Sequence, residues 1–85
     1  MDPFFAPSID SNIAQIDLHG IAVISQAIEK LESEMYRLSM SGASYCEVIH
    51  GIGSGKLEKA VHGTLKGHPL VRDFQSCVGR TLVLF

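Results

Sequence analysis

The stretch that decides the fold reads Val48-Ile49-His50-Gly51-Ile52-Gly53-Ser54-Gly55-Lys56-Leu57. Two apolar residues end a predicted strand, glycines then occupy every second position, and a lysine begins a predicted helix. Glycine lets the backbone adopt positive φ and leaves room for a close neighbour. The first amides of a helix lack intrahelical acceptors and lie at the positive end of its dipole, so this stretch predicts an anion site.

Two common nucleotide-binding motifs do not fit this stretch. A P-loop needs a glycine where this chain has His50 and a hydroxyl side chain where it has Leu57. A dinucleotide fingerprint counted from Gly51 needs a glycine where Lys56 stands, and no acidic residue follows in the required context. What fits is a strand, a His-Gly-x-Gly-x-Gly-Lys loop and a helix. A glycine-rich turn with a purely geometric role is the alternative.

The composition indicates one small globular domain. The chain has 85 residues, of which 46% are apolar and 19% charged. Its apolar runs are shorter than the roughly 18 residues of a membrane span, and its first residues lack the basic start of a signal peptide. We therefore expect a cytoplasmic protein with no membrane partner. Cys46 and Cys77 fit no metal-ligand spacing and are expected to be buried reduced thiols.

The charge is unevenly distributed along the chain. The net charge is −2, which argues against strong general affinity for nucleic acid. Residues 1–47 hold seven acidic and two basic residues, whereas residues 48–85 hold two acidic and five basic residues. The glycine loop lies in the basic half, so a local basic face is expected there.

The apolar pattern predicts two helices and four strands. Residues 1–12 show no period and are interpreted as a linker or an added tail. A helix begins near Ile24 because apolar residues recur at helical spacing as far as Leu38, and Gly42 is expected to end it. The other predicted elements are a strand from Ile13 to Leu18, a strand Tyr45–His50, a helix Leu57–Leu65, a strand Leu70–Phe74, a tight Val78-Gly79 connection and a strand Thr81–Phe85.

The order β-α-β-α-β-β predicts an α/β domain with helices packed on a sheet. Ligands of such sheets gather at the carboxyl ends of the strands. Asp17, His19, His50 and the glycine loop all follow strand ends, so we expect them at one rim of the sheet.

Three motifs in this order resemble the Smr (small MutS-related) domain family. They are Ile16-Asp17-Leu18-His19-Gly20, the stretch from His50 to Leu57, and His68-Pro69-Leu70-Val71-Arg72-Asp73-Phe74. The resemblance covers residues 13–85 and is strongest to the C-terminal domain of the second bacterial MutS paralogue. It implies a two-layer α+β sandwich of a mixed four-stranded sheet and two helices, similar to the C-terminal domain of translation initiation factor three.

The resemblance also implies nucleic-acid cleavage, and no cofactor is predicted. Smr domains include DNA-nicking endonucleases and endoribonucleases that cut messenger RNA on stalled ribosomes. The family's Asp-Leu-His-Gly motif falls on Asp17 to Gly20 and its His-Gly-x-Gly motif on His50 to Gly53. In some members the first histidine is arginine, which implies phosphate binding as well as proton transfer.

These motifs lead to a specific site hypothesis. The catalytic candidates are Asp17, His19 and His50. The two histidines are expected to act as general acid and general base, and Asp17 to orient one imidazole or take a proton. The alternative is that Asp17 caps backbone amides at the end of the strand.

The residues expected to bind nucleic acid are Gly51, Gly53, Ser54, Gly55, Lys56, Lys59 and Arg72. No metal ligands are predicted, and a histidine pair favours RNA, whose 2′-hydroxyl can attack. His62 and His68 are interpreted as packing or surface residues.

One departure from the family pattern supports a second interpretation. In the MutS-paralogue branch a longer glycine-containing loop joins the last two strands, whereas here Ser76 to Gly79 is all that separates Gln75 from Arg80. The alternative function is therefore a non-catalytic module that binds DNA, RNA or the ribosome. In either case the chain is expected to be part of a larger protein.

Overall fold

The computed structural model describes residues 1–85, and its seven elements form one four-stranded sheet with helices packed on it. In chain order the elements are α1 (Phe5–Ile9), β1 (Gln15–Asp17), α2 (Ile24–Met40), β2 (Tyr45–Ile49), α3 (Lys56–Leu65), β3 (Asp73–Cys77) and β4 (Arg80–Leu84). The sheet order is β1-β2-β4-β3, with β1 parallel to β2 and the other pairs antiparallel. The predicted mixed sheet with two main helices is confirmed.

Both long helices pack on the same face of the sheet. Helix α2 buries one stripe of apolar side chains, and α3 buries Val61 and Leu65 beside that stripe. The strands contribute every second residue, because successive side chains of a strand point to opposite faces. The core so formed contains Ile16, Leu18, Ala27, Leu31, Met35, Leu38, Cys46, Val48, Val61, Leu65 and Val83.

Gly42 ends α2 as predicted. Its φ of +89° is left-handed. The amide of Gly42 donates to the carbonyl of Ser39 at 3.2 Å, and the amide of Ala43 donates to the carbonyl of Leu38 at 3.1 Å. This pair of bonds is the Schellman motif, which satisfies carbonyls that the helix end leaves free.

The N-terminal segment differs from its prediction, because it contains the short helix α1. Five residues are too few to show a helical period in the sequence, and the segment is held by tertiary contacts instead. Phe4 is buried against Leu82 and Leu84 on the sheet face opposite α2 and α3. The Tyr45 hydroxyl also donates to the Asp10 carboxylate at 2.8 Å. That residues 13–85 form the domain stays a prediction.

Strand β3 lies three residues later than predicted. Leu70 and Val71 belong to a turn, in which the amide of Val71 donates to the carbonyl of His68 at 3.0 Å. Pairing with β4 begins at Asp73, which faces Leu84, and continues to Cys77, which faces Arg80. Because β3 is an edge strand, it tolerates exposed polar residues that the apolar pattern does not reveal.

No helix is both long enough and apolar enough to cross a bilayer.

Truncating the core of α2 is expected to destabilise the domain strongly. Leu31 is fully buried. Leu31→Ala therefore should lower the free energy of unfolding by about 2–5 kcal/mol, through lost apolar burial and the cavity left behind. Urea denaturation followed by circular dichroism measures this. Tyr36→Ala on the exposed side of the same helix is the matched control, with an expected change of about 0.5 kcal/mol or less. Equal losses in both variants would contradict the packing described.

The two cysteines are expected to differ in reactivity, although the sequence predicts both to be buried. Burial raises the pKa of the Cys46 thiol to about 12, whereas Cys77 is half-buried. Because the thiolate is the reactive form, Ellman's reagent should modify Cys77 in the native protein and Cys46 only after denaturation. In Cys77→Ser the rapid native reaction should disappear. Rapid native labelling of that variant would refute the assignment.

Candidate functional site

The rim of the sheet brings together three segments that are distant in sequence. In the parallel register Asp17 lies beside Ile49, and the amide of Leu18 donates to the carbonyl of Ile49 at 2.7 Å. The amide of Gly51 donates to the carbonyl of Gly79 at 2.9 Å. The ends of β1 and β2 and the β3–β4 turn are therefore neighbours.

Asp17 and His19 form a hydrogen-bonded pair at this rim. Nδ1 of His19 bonds to Oδ1 of Asp17, and the amide of His19 donates to the same oxygen at 3.1 Å. The carboxylate thus contacts the imidazole and also caps a backbone amide, so the geometry fits both the orienting role and the capping role considered for Asp17. The hydrogen bond from His19 lowers the pKa of Asp17. The imidazole itself is 66% exposed, which leaves it accessible to a ligand.

The glycine loop begins directly beside His19. Gly51, Gly53 and Gly55 all have positive φ, which side chains rarely tolerate. A Cβ added to Gly51 would lie 3.7 Å from the Cβ of His19. Gly55 is the N-cap of α3 and makes no side-chain capping bond. The exposed side chains of Lys56 and Lys59 follow at the start of that helix.

His50 lies in a different environment from His19. Its side chain is fully buried. Nδ1 lies 2.9 Å from the Gly51 carbonyl oxygen, to which it donates, and Nε2 lies 3.0 Å from Oγ1 of Thr81. The two histidines predicted to share proton transfer therefore lie in different environments, although both follow strand ends at the same rim. Because strand side chains alternate, His50 continues the helix-covered face of β2, while Asp17 points to the other face of β1.

Three side chains surround His50 on the helix-covered side. His62 Nε2 lies 2.8 Å from Thr81 Oγ1, and Glu58 Oε2 lies 3.7 Å from His50 Nε2. The His62 ring also packs on Phe74, with ring centroids 5.3 Å apart. We call His50, Glu58, His62 and Thr81 the His50 cluster. Glu58 is not among the residues predicted from the sequence, and His62 is predicted to be a packing or surface residue. The sequence signal that could have identified Glu58 and His62 was their four-residue spacing on one predicted helix.

Arg72 does not join the other predicted binding residues. It directly precedes Asp73, the first residue of β3, which pairs with Leu84. This end of β3 is the one far from the glycine loop. Five strand residues separate it from the rim, or roughly 15 Å. Beside the loop lies an open cleft of about 430 Å³ lined by Gly51, Ile52, Glu58, Ser76, Cys77, Val78 and Gly79.

Comparisons with known proteins identify the family that this chain resembles. The sequence model of the Smr domain matches residues 16–82. "Endonuclease MutS2" of Thermomicrobium roseum is 34% identical over 61 residues, which cover 72% of this chain and 8% of the relative. "Endonuclease MutS2" of Streptococcus thermophilus is 32% identical over 68 residues, which cover 80% of this chain and 9% of the relative. The chain thus spans less than a tenth of these relatives.

A solved structure shows the same fold. The crystal structure of the Smr domain of Thermus thermophilus MutS2 superposes with a TM-score of 0.80 at 23% identity. The superposition covers 85% of this chain and 96% of that domain. The predicted resemblance and fold class are therefore confirmed.

The Asp17–His19 bond predicts a pH dependence that can be measured at one residue. The bond lowers the pKa of Asp17 below the ordinary 3.8, so its contribution to stability is present above pH 3.8 and is lost as the pH falls through the folded pKa. In His19→Ala the pKa of Asp17 should rise towards 3.8, as a carbon-detected NMR titration would show. Lys30→Ala is the control and should cause a smaller rise, because Lys30 is the weakest cause of the shift. Equal rises in both variants would reject the hydrogen bond as the main cause.

Proposed function

The chain belongs to the Smr domain family, and on that premise we propose that it is a nucleic-acid endonuclease domain that cleaves phosphodiester bonds. The observation that carries the proposal is the exposed Asp17–His19 pair, which lies against Gly51 at the start of the glycine loop that leads into α3. The relatives named as endonucleases support it. Since the chain spans so little of those relatives, the proposal concerns the domain and not a whole MutS2 activity.

His19 is proposed as the general base. If its Nδ1–H donates to Asp17, Nε2 carries the lone pair and faces solvent. This nitrogen can take the proton of an attacking hydroxyl and return it to the leaving oxygen. The same hydrogen bond lowers the pKa of Asp17, and the ionised carboxylate stabilises the imidazolium that forms.

The glycine loop is proposed to hold the scissile phosphate. Gly51 lies next to His19, and the chain continues from it into the backbone amides of residues 53–56 and the positive end of the α3 dipole. The ammonium groups of Lys56 and Lys59 add positive charge. Such donors stabilise charge that develops on the phosphate oxygens. Gly51, Gly53, Ser54 and Gly55 would thus act through the backbone.

His50 is proposed as a positioning residue and not as a second proton-transfer group. Its buried ring donates to the carbonyl of Gly51 and fixes the first turn of the loop beside His19. With both ring nitrogens engaged inside the fold, it does not face a phosphate on the exposed side.

RNA is the substrate that this arrangement favours. Its 2′-hydroxyl lies next to the scissile phosphate, so one imidazole suffices to remove the nucleophile's proton. Attack by that oxygen breaks the bond to the 5′-oxygen, and the products are a 2′,3′-cyclic phosphate and a 5′-hydroxyl. DNA cleavage would require an activated water in place of the 2′-hydroxyl.

A module that binds DNA, RNA or the ribosome without cleavage is the second candidate. The short β3–β4 turn at Val78-Gly79 favours it, since less protein surrounds the rim than in the family pattern. The burial of His50 favours it as well, because a single exposed imidazole remains.

Cleavage and binding assays on one set of variants separate these functions. With end-labelled single-stranded RNA and supercoiled DNA, we expect cleavage of RNA, and a rate about 100-fold or more lower for His19→Ala with binding retained. His68→Ala is the matched control on a histidine outside the rim and should cleave like the wild type. Analysis of the RNA ends tests the proposed nucleophile.

Each alternative result has a defined meaning. Retention of RNA or DNA without product from the wild-type protein would replace the endonuclease proposal with the binding module. Unchanged cleavage by His19→Ala would remove His19 as the base.

A further inference from the structure

We propose that the His50 cluster is a binding site for one divalent transition-metal ion of the Zn²⁺ type. His50, Glu58 and His62 each offer one potential ligand atom, and these atoms all lie within 4.8 Å of one another. Two imidazoles and one carboxylate are a ligand set of open zinc sites. This site is separate from the Asp17–His19 pair, and the proposal does not depend on cleavage.

Two rigid elements position the three ligands. Glu58 and His62 are four residues apart on α3, so their side chains project from the same face on successive turns. His50 directly follows β2 and points beneath that helix, with its ring edge-on to His62 at a centroid distance of 6.1 Å. The ligands are therefore brought together by helix–strand packing and not by a flexible loop.

The hydrogen bonds of His50 prepare it to bind a metal. Donation from Nδ1–H to the Gly51 carbonyl leaves the lone pair on Nε2. In metal sites, the ring nitrogen that does not bind the metal commonly donates a hydrogen bond of this kind, which orients the histidine. Nε2 of His50 accepts the one hydroxyl proton of Thr81. The Thr81 oxygen therefore acts as the acceptor for the Nε2–H of His62.

Metal binding then requires only a local rearrangement of this network. The His62 proton moves from Nε2 to Nδ1, which keeps the ring neutral and frees the Nε2 lone pair. The Thr81 hydroxyl turns away, and the ligand atoms approach to about 3.3 Å, the separation that tetrahedral coordination at about 2.0 Å implies.

The local charge favours a cation. Glu58 accepts a hydrogen bond from the Ser76 hydroxyl at 3.1 Å, and its one charge contact is with His50 at 3.7 Å. It has no ion pair with lysine or arginine. Two neutral imidazoles and this carboxylate carry a net charge of −1, which a divalent ion would offset.

The cleft provides access and indicates the type of ion. Glu58 is 36% exposed and lines the cleft, whereas His50 is buried behind it. An ion can therefore enter past Glu58 and keep solvent ligands on that side. Imidazole ligands select Zn²⁺, Co²⁺ or Ni²⁺ over Mg²⁺ and Ca²⁺, which prefer oxygen.

Direct metal titration tests the site without any substrate. Tag-free protein freed of metal with EDTA and then dialysed is titrated with Zn²⁺ by calorimetry and with Co²⁺ by visible absorption. We expect one ion per chain, and affinity at least about tenfold weaker in both Glu58→Gln and His62→Gln. These variants keep the size and hydrogen bonding of the side chains, and circular dichroism verifies that they fold.

Two further variants make the test specific. His68 lies 3.8 Å from Glu32, so His68→Gln removes a different histidine–carboxylate contact and should bind like the wild type. His19→Gln should also bind like the wild type. The proposal is overturned if the wild-type protein binds no ion at millimolar metal, if both cluster variants bind normally, or if His19→Gln abolishes binding.

Discussion

The parallel pairing of β1 with β2 is the constraint on which the rest of the structure depends. It places Asp17 beside Ile49, and the bond from the Leu18 amide to the Ile49 carbonyl extends the pairing past the strand end. The chain continues from these two points into the Asp-Leu-His motif and into the glycine loop. Burial of Ile16 and Leu18 under α2 and α3 beside Val48 fixes this register, because a one-residue slip of β1 would turn Ile16 and Leu18 to the other face of the sheet.

Because side chains alternate along each strand, the polar residues at the rim lie in two different environments. Asp17 and His19 lie on the exposed side, where the imidazole can meet a ligand. His50 lies on the helix-covered side, where its polar atoms must find partners within the protein. No buried side-chain nitrogen or oxygen lacks a partner, so this internal network is fully satisfied. Two histidines at the ends of adjacent strands thereby lie in different environments.

Helix α3 connects these environments. Its first turn follows the glycine loop and directs backbone amides outward, and its inner face carries Glu58 and His62 towards His50. Interactions that fix the inner face also fix the position of the loop, since Gly51 is held by His50 from one side and by the β3–β4 turn from another. An ion held by the His50 cluster would join the end of β2 to this helix and strengthen that connection.

The sequence by itself determined the order of the four strands and the two long helices, the α2 stripe with its Gly42 end, the glycine loop and the family. These features are local, since periodicity and turn residues act within a few positions. Tertiary structure alone decided the position of β3, the docking of Phe4, the distance of Arg72 from the loop and the separation of His19 from His50. Each depends on register and on the sheet face that a side chain meets, which arise from pairing between distant segments. Glu58 and His62 became ligand candidates for the same reason, because only the packing of α3 on β2 brings them to His50.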